Sequence, residues 1–161
     1  MKKIALGAGC FWGVEAAFKL LPGIKKTRVG YMGGHVESPT YEQVCQKTTG
    51  HAEVVLLEYD EQELSLQKIL DLFFFIHNPY QIGGQGNDIG PQYRSEVFTE
   101  DQDFVSEYIS KLENPNEIQT QVSPLVQFFD AEEYHQEYLL KNPLGYCHVN
   151  MNEVRKFIQE M

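Results

Sequence analysis

An apolar run, Ile4-Ala5-Leu6, leads through Gly7-Ala8-Gly9 into Cys10-Phe11-Trp12-Gly13, after which Val14, Ala17, Phe18 and Leu21 recur at helical spacing. That order predicts a strand over Lys3–Leu6, a glycine turn, and a helix from about Cys10 to Leu20 that Pro22-Gly23 breaks. Few local patterns constrain a chain so tightly, because strand, turn and helix must all place Cys10 at the helix start. Backbone N–H groups at a helix N-terminus favour an anion, so the thiol of Cys10 is expected to ionise more readily than usual. The thiolate is the nucleophilic form of cysteine. Phe11 and Trp12 directly after it are placed to wall an apolar pocket beside the sulfur.

The remaining pattern continues the alternation. Lys26–Met32 reads as a strand closed by Gly33-Gly34, and Tyr41–Cys45 as a short helical turn after Ser38-Pro39. Glu53–Tyr59 is a strongly apolar strand. Leu64–His77 reads as a helix with Ser65 as cap and Ile69, Leu70, Phe73 and Phe74 on its buried face, ended by Asn78-Pro79. Gln81–Gly90 is a glycine-rich loop without the Gly-Lys-Ser/Thr of a phosphate-binding loop. A strand over Tyr93–Thr99 follows, then a helix over Gln102–Glu113 with Phe104, Val105, Tyr108, Ile109 and Leu112 on one side. Gln119–Phe129 reads as extended with Pro124 interrupting its ladder, Ala131–Lys141 as a helix ended by Asn142-Pro143, and Asn152–Glu160 as a closing helix. No repeat or linker divides the chain, so residues 1–161 are expected to form a single domain of the α+β class, a two-layer sandwich of sheet and helices.

Composition removes several function classes. A formal net charge of −10 argues against a nucleic-acid binder and against docking on an anionic membrane surface. No window approaches the ~20 apolar residues of a membrane span, and the apolar stretch after Met1-Lys2-Lys3 is too short for a signal peptide. Three cysteines, Cys10, Cys45 and Cys147, do not make a disulfide framework, so a reducing, cytoplasmic setting is expected, in which any disulfide is transient and catalytic. A metal site is not expected: the cysteines are isolated and His35, His51, His77, His135 and His148 are scattered.

A nucleophilic sulfur needs a proton source or a holder for the electrophile. Glu53 opens the most apolar strand, where burial raises a carboxyl pKa toward neutrality and makes it a proton donor; the alternative is an exposed glutamate at a strand edge. Tyr41 and Tyr93 follow loop residues and can donate to a substrate oxygen, or serve only in packing. Asp88 either orients a neighbour or caps its own turn. Cys147, in Gly145-Tyr146-Cys147, suits attack on a sulfenic acid formed at Cys10. Cys45 reads as a packing cysteine. These residues alone leave open a thiol-based redox enzyme such as a thiol peroxidase, a cysteine hydrolase with a histidine base, and an acidic binding domain with inert cysteines.

Several blocks, taken together, resemble the A-type peptide methionine sulfoxide reductases. They are Gly9-Cys10-Phe11-Trp12-Gly13, Gly30-Tyr31-Met32-Gly33-Gly34, Pro39-Thr40-Tyr41-Glu42-Gln43-Val44-Cys45, Thr49-Gly50-His51-Ala52-Glu53-Val54, Gln85-Gly86-Asn87-Asp88, Gln92-Tyr93-Arg94-Ser95, and the run from Tyr134-His135-Gln136 through Lys141-Asn142-Pro143 to Gly145-Tyr146-Cys147. The resemblance implies a sandwich with a ferredoxin-like mixed sheet core and a long coiled C-terminal segment. It implies reduction of methionine-S-sulfoxide, free or in oxidised proteins, with no bound cofactor and with thioredoxin as reductant and partner, by a monomer. Cys10 would attack the sulfoxide sulfur and Glu53 would protonate the oxygen, with Tyr41 and Tyr93 bonding it. Phe11 and Trp12 would receive the methyl group, Asp88 would support the site, and a Cys10–Cys147 disulfide would form. The chain departs from the family where Gly83-Gly84 precede Gln85 and where His77-Asn78-Pro79-Tyr80 stands, which bears on loop stiffness and substrate preference. With no cysteine after Cys147, a relay through a further thiol is not expected, nor is a fused B-type domain.

Overall fold

The computed structural model describes residues 1–161. Its elements in chain order are β1 (Lys2–Ala8), α1 (Phe11–Lys19), β2 (Ile24–Met32), α2 (Tyr41–Cys45), β3 (Ala52–Tyr59), α3 (Leu66–Phe75), β4 (Gly84–Gln85), β5 (Asp88–Ile89), β6 (Ser95–Phe98), α4 (Gln102–Ser110), β7 (Gln121–Ser123), β8 (Phe129–Asp130), α5 (Tyr138–Lys141) and α6 (Met151–Gln159). Six strands form one mixed sheet in the order β7-β6-β1-β3-β2-β8, and β4 and β5 form a small separate hairpin. Only β6 and β7 pair in parallel; the other neighbours in the sheet are antiparallel. The fold is therefore α+β, with helices packed on a six-stranded mixed sheet.

Period-two alternation sorts the sheet's two faces. Ile4, Leu6 and Ala8 of β1, with Val55 and Leu57 of β3, join Val14, Ala17 and Phe18 of α1 and Ile69, Leu70 and Phe73 of α3 in the main core. Ala5, Val54 and Phe98 point the other way, into a smaller cluster covered by Leu125 and Phe128 from the segment between β7 and β8. That segment approaches β2 where Gly30 stands, and a Cβ there would collide with the Phe129 carbonyl and the Phe128 ring. Leu70 is wholly buried in the main core. Leu70→Ala is expected to cost about 2–5 kcal/mol, read as a lower urea midpoint with an unchanged slope.

Several elements differ from the sequence expectation. The helix expected over Ala131–Lys141 is a 3-10 turn at Glu133–His135 followed by the single turn of α5. Gln136 interrupts it: its amide Nε2 donates to the carbonyls of Val29 (2.8 Å) and Ala131 (3.1 Å), and its Oε1 accepts from Val29 N (2.9 Å). Glu137 then turns left-handed at φ 53°, with its N–H on buried Glu15 Oε1 at 2.8 Å. These tertiary bonds outweigh local helix propensity. The strand expected from Tyr93 begins at Ser95, because Pro91–Tyr93 forms a 3-10 turn that Arg94 secures through the Pro91 and Gly50 carbonyls. α4 ends at Ser110, and Phe104, expected on its buried side, is 47% exposed. Gln119–Phe129 pairs through β7, leaves the sheet, and rejoins it at Phe129 in β8 beside β2. The glycine-rich loop is shaped by β4 and β5, with the Gln85 side chain bonded to both backbone groups of Asn78.

Candidate active site

The site lies at one end of the sheet, where β1 ends and α1 begins. β1 delivers Ala8; Gly9, at φ 97°, makes the sharp turn; and Cys10 sits at the N-cap of α1. On the neighbouring strand, antiparallel pairing brings Glu53, near the start of β3, to the same end and opposite Tyr31 of β2. Two strand ends and a helix start thus bring the thiol and the carboxyl together, although they lie 43 residues apart in sequence.

The first N–H groups of α1 are divided between them. Phe11 N donates to Glu53 Oε1 at 3.2 Å, and the Trp12 N–H is the backbone group that favours the Cys10 thiolate, although the thiol makes no N-cap hydrogen bond. The other carboxyl oxygen, Glu53 Oε2, is buried with no hydrogen-bond partner. Glu53 is almost wholly buried, and burial, opposed by the Phe11 N–H and assisted by the Asp88 charge, pushes its pKa up to about 8. A carboxylic acid protonated at neutral pH therefore holds its unpartnered oxygen in the site.

The expected lowering of the Cys10 pKa is corrected. Cys10 is 7% exposed, and burial pushes its thiol far up, with the charges of Glu53, Asp88 and Cys147 adding to burial and the Trp12 N–H opposing it. Below the Glu53 pKa that carboxyl is neutral, and burial, the largest cause, persists together with the Asp88 charge. The helix N-terminus contributes the one favourable N–H, which is weaker than the loss of solvent. The resting pair thus carries two protons, one on sulfur and one on the carboxyl.

Tyr41 opens α2, which Thr40 and Gln43 cap reciprocally. Its N–H donates to Glu132 Oε2 (2.9 Å), while Glu132 Oε1 accepts from the Tyr31 hydroxyl (3.0 Å). Tyr93 comes from the 3-10 turn on the far side of the glycine-rich loop. Burial first and the Glu53 charge next raise the pKa of both phenols, with Tyr93 adding to the effect on Tyr41 and Cys45 to the effect on both, so the two hydroxyls remain donors near the carboxyl. Cys45, a turn after Tyr41, is half-buried rather than a core residue.

Phe11 has no exposed surface; its ring lies against Tyr31, Tyr41 and His135 at centroid distances of 5.8, 6.4 and 5.3 Å. It underlies the site rather than lining it. Trp12 is half-buried, stacked on Tyr138 at 3.8 Å, with its indole N–H donating to His135 Nδ1 at 2.9 Å. Asp88 on β5 accepts from the Tyr146 hydroxyl at 3.0 Å, which ties the hairpin to the segment carrying Cys147. All three cysteines are reduced, and Cys147 is half-buried beside α1, with its thiol on the Val149 carbonyl at 3.2 Å.

Sequence reasoning missed three contributors here: His135, Tyr146 and His148. All three lie in or beside the run Tyr134–Cys147, but only their positions in space give them roles. Four of the five histidine rings bond elsewhere than to Cys10: His51 to Gly34 and Val36, His77 to Phe73 and Ser95, His135 to Trp12, His148 to Ala8. No group of three or more His, Cys, Asp or Glu side chains converges to hold a metal ion, and no helix is long and apolar enough to cross a membrane. A thiol beside a protonated carboxyl is suited to attack on an atom whose leaving oxygen must be protonated.

The chain matches the sequence model of a family described as peptide methionine sulfoxide reductase over residues 2–161. A peptide methionine sulfoxide reductase MsrA from Alkaliphilus metalliredigens is 47% identical over 156 residues, covering 94% of this chain and 99% of that protein. Among solved structures, reduced Mxr1 from Saccharomyces cerevisiae superposes with a TM-score of 0.83 at 36% identity, covering 92% of this chain and 91% of its own. Mxr1 in complex with Trx2 matches with a TM-score of 0.56 at 28% identity, over 85% of this chain and 84% of the other.

Proposed function

Because this chain belongs to the peptide methionine sulfoxide reductase family, and its relatives are MsrA proteins, we propose how its own residues divide the work of that reaction. It is a peptide methionine sulfoxide reductase of the MsrA type. Residues 1–161 work as one reductase domain, with the β1-α1-β2-β3-α3-β6 order supporting a ferredoxin-like core and the stretch after β8 bringing Cys147 to the site.

The observation that carries the reading is the unpartnered Oε2 of protonated Glu53 beside the Cys10 thiol. Cys10 sulfur attacks the sulfoxide sulfur while Glu53 gives its proton to the sulfoxide oxygen, and the thiol proton replaces the one Glu53 loses. The S–O bond of the adduct then breaks as the hydroxyl passes to the Cys10 sulfur, and the bond between the two sulfurs breaks with its electron pair going to methionine, which leaves Cys10 as a sulfenic acid. Tyr41 and Tyr93 donate to the same oxygen. Phe11 and Trp12 support the apolar side that takes the methyl group. Recognising oxygen and methyl on opposite sides of one tetrahedral sulfur favours a single epimer, the S form.

Cys147 then attacks the sulfenic acid, water leaves, and a Cys10–Cys147 disulfide remains for thioredoxin to reduce. The complex of Mxr1 with Trx2 supports that choice of reductant. A reducing compartment such as the cytoplasm, where thioredoxin is kept reduced, is the setting for this cycle.

A thiol count after one equivalent of a methionine sulfoxide substrate tests the route. Two thiols should vanish, and peptide mapping should place them at Cys10 and Cys147; loss of one thiol, or a bridge to Cys45, contradicts it. For Cys147→Ser, one methionine per protein should be released and thioredoxin-driven turnover should then stall. Steady-state rates equal to wild type would assign recycling to another thiol.

A further inference from the structure

His148 follows Cys147 in sequence, and its ring lies across the turn that carries Cys10. Its Nε2 is 2.9 Å from the Ala8 carbonyl oxygen, which can only accept, so Nε2 bears the hydrogen and Nδ1 presents a lone pair. Nδ1 is buried and has no hydrogen-bond partner, an unfavourable state for an acceptor. The two glycines of Gly9-Cys10-Phe11-Trp12-Gly13 make room for this ring. A Cβ on Gly9 would stand 3.0 Å from Nε2; one on Gly13 would stand 3.1 Å from Nδ1 and 3.2 Å from the Cys147 sulfur. Nδ1 and the Cys147 sulfur therefore border the same small gap over Gly13.

We propose that His148 Nδ1 is the base that accepts the Cys147 thiol proton as Cys147 attacks the sulfenic acid on Cys10. The inference rests on the reading of Cys147 as the resolving cysteine. As the Cys147 S–H bond breaks, its proton passes to Nδ1. The new S–S bond forms as the S–O bond of the sulfenic acid breaks, and the imidazolium returns the proton to the leaving hydroxide, which departs as water. No outside oxidant or reductant enters.

The surroundings keep the base form available. Burial lowers the His148 pKa, while the Ala8 carbonyl and Asp88 on β5 oppose that lowering. His77, at the end of α3, is held neutral by burial, with a pKa of about 4, and adds no charge. Glu153 of α6 borders the same hollow as His148 and His77. Cys147 itself is kept protonated by burial, so a thiolate is scarce without a base. Below the His148 pKa the base is lost, and the resolving step should slow as pH falls through it.

His148→Gln retains an N–H able to reach the Ala8 carbonyl but has no basic nitrogen. The full-length reduced protein is mixed with one equivalent of N-acetylmethionine sulfoxide, and methionine release and thiol loss are followed separately by rapid quench. The methionine burst should persist in the variant, while the disulfide should form about 10²-fold more slowly near neutral pH. Its rate should then climb about tenfold per pH unit, as expected when only ionised thiol reacts, where the wild-type rate is level. A wild-type rate and pH profile in His148→Gln overturns the proposal and leaves the resolving role of Cys147 intact. A disulfide in Cys147→Ser would instead overturn that role. If His148→Gln does not fold, wild-type protein decides: burial lowers the His148 pKa, so the break in its resolving rate should fall on the acid side of the ordinary imidazole value of about 6.5 and coincide with the His148 titration seen by NMR, and a rate with no break at that titration overturns the proposal.

Discussion

Cys10→Ser should abolish sulfoxide reduction with thioredoxin as reductant, and it should do so without unfolding the protein. The N-cap position of α1 that Cys10 holds favours serine, so the helix start is preserved. What is lost is an atom that can give up two electrons and carry the oxygen as a sulfenic acid. Far-UV circular dichroism and a thermal midpoint near wild type, together with no methionine release, are the expected pair of results. Retained turnover in this variant would remove Cys10 from its assigned role.

Glu53→Gln carries the second large effect. The glutamine carbonyl can still accept from Phe11 N, and its amide can still reach a substrate oxygen, but it has no proton to transfer. Single-turnover methionine release should slow by a factor of about 10²–10⁴. In the wild type the acid form is lost as pH rises through about 8, so release should decline there, and the glutamine variant should lack that alkaline limb. The same raised pKa links to stability. Between the ordinary 4.5 and about 8 the native protein holds a proton that the unfolded chain has released, so stability falls as pH rises across that interval. Glu53→Gln should flatten that part of the stability profile. An unaltered release rate in the variant would discard the proton-donor role.

Much of this was legible where local chemistry decides. Thr40 and Gln43 form a capping box, and α2 occupies Tyr41–Cys45 as the sequence predicts. Ser65 caps α3 through the Lys68 N–H, and the strand–turn–helix around Cys10 is where the glycines put it. The candidate site residues come from six separate stretches, Cys10–Trp12, Tyr41, Glu53, Asp88, Tyr93 and Cys147, and sheet pairing is what joins Cys10 to Glu53. Where distant groups decide, the sequence misled. Gln136 bonds to β2 across 107 residues and breaks a helix that its neighbours favour. The Cys10 thiol illustrates the same limit: a helix start argues for a lower pKa, but the burial that overrides it depends on everything packed around the turn. His148 had no local mark at all, because its importance comes from a carbonyl 140 residues away and from two glycines that leave it space.

The account depends most on the Cys10 sulfur taking up oxidation in the same turnover that releases methionine. Cys147→Ser, which cannot resolve the product, should be mixed with one equivalent of N-acetylmethionine sulfoxide in the presence of a carbon nucleophile that traps sulfenic acids, and then mapped by mass spectrometry. One trap adduct per protein should form, on Cys10, in step with the methionine released. Methionine released with Cys10 unmodified, or an adduct on Cys45 instead, would contradict it.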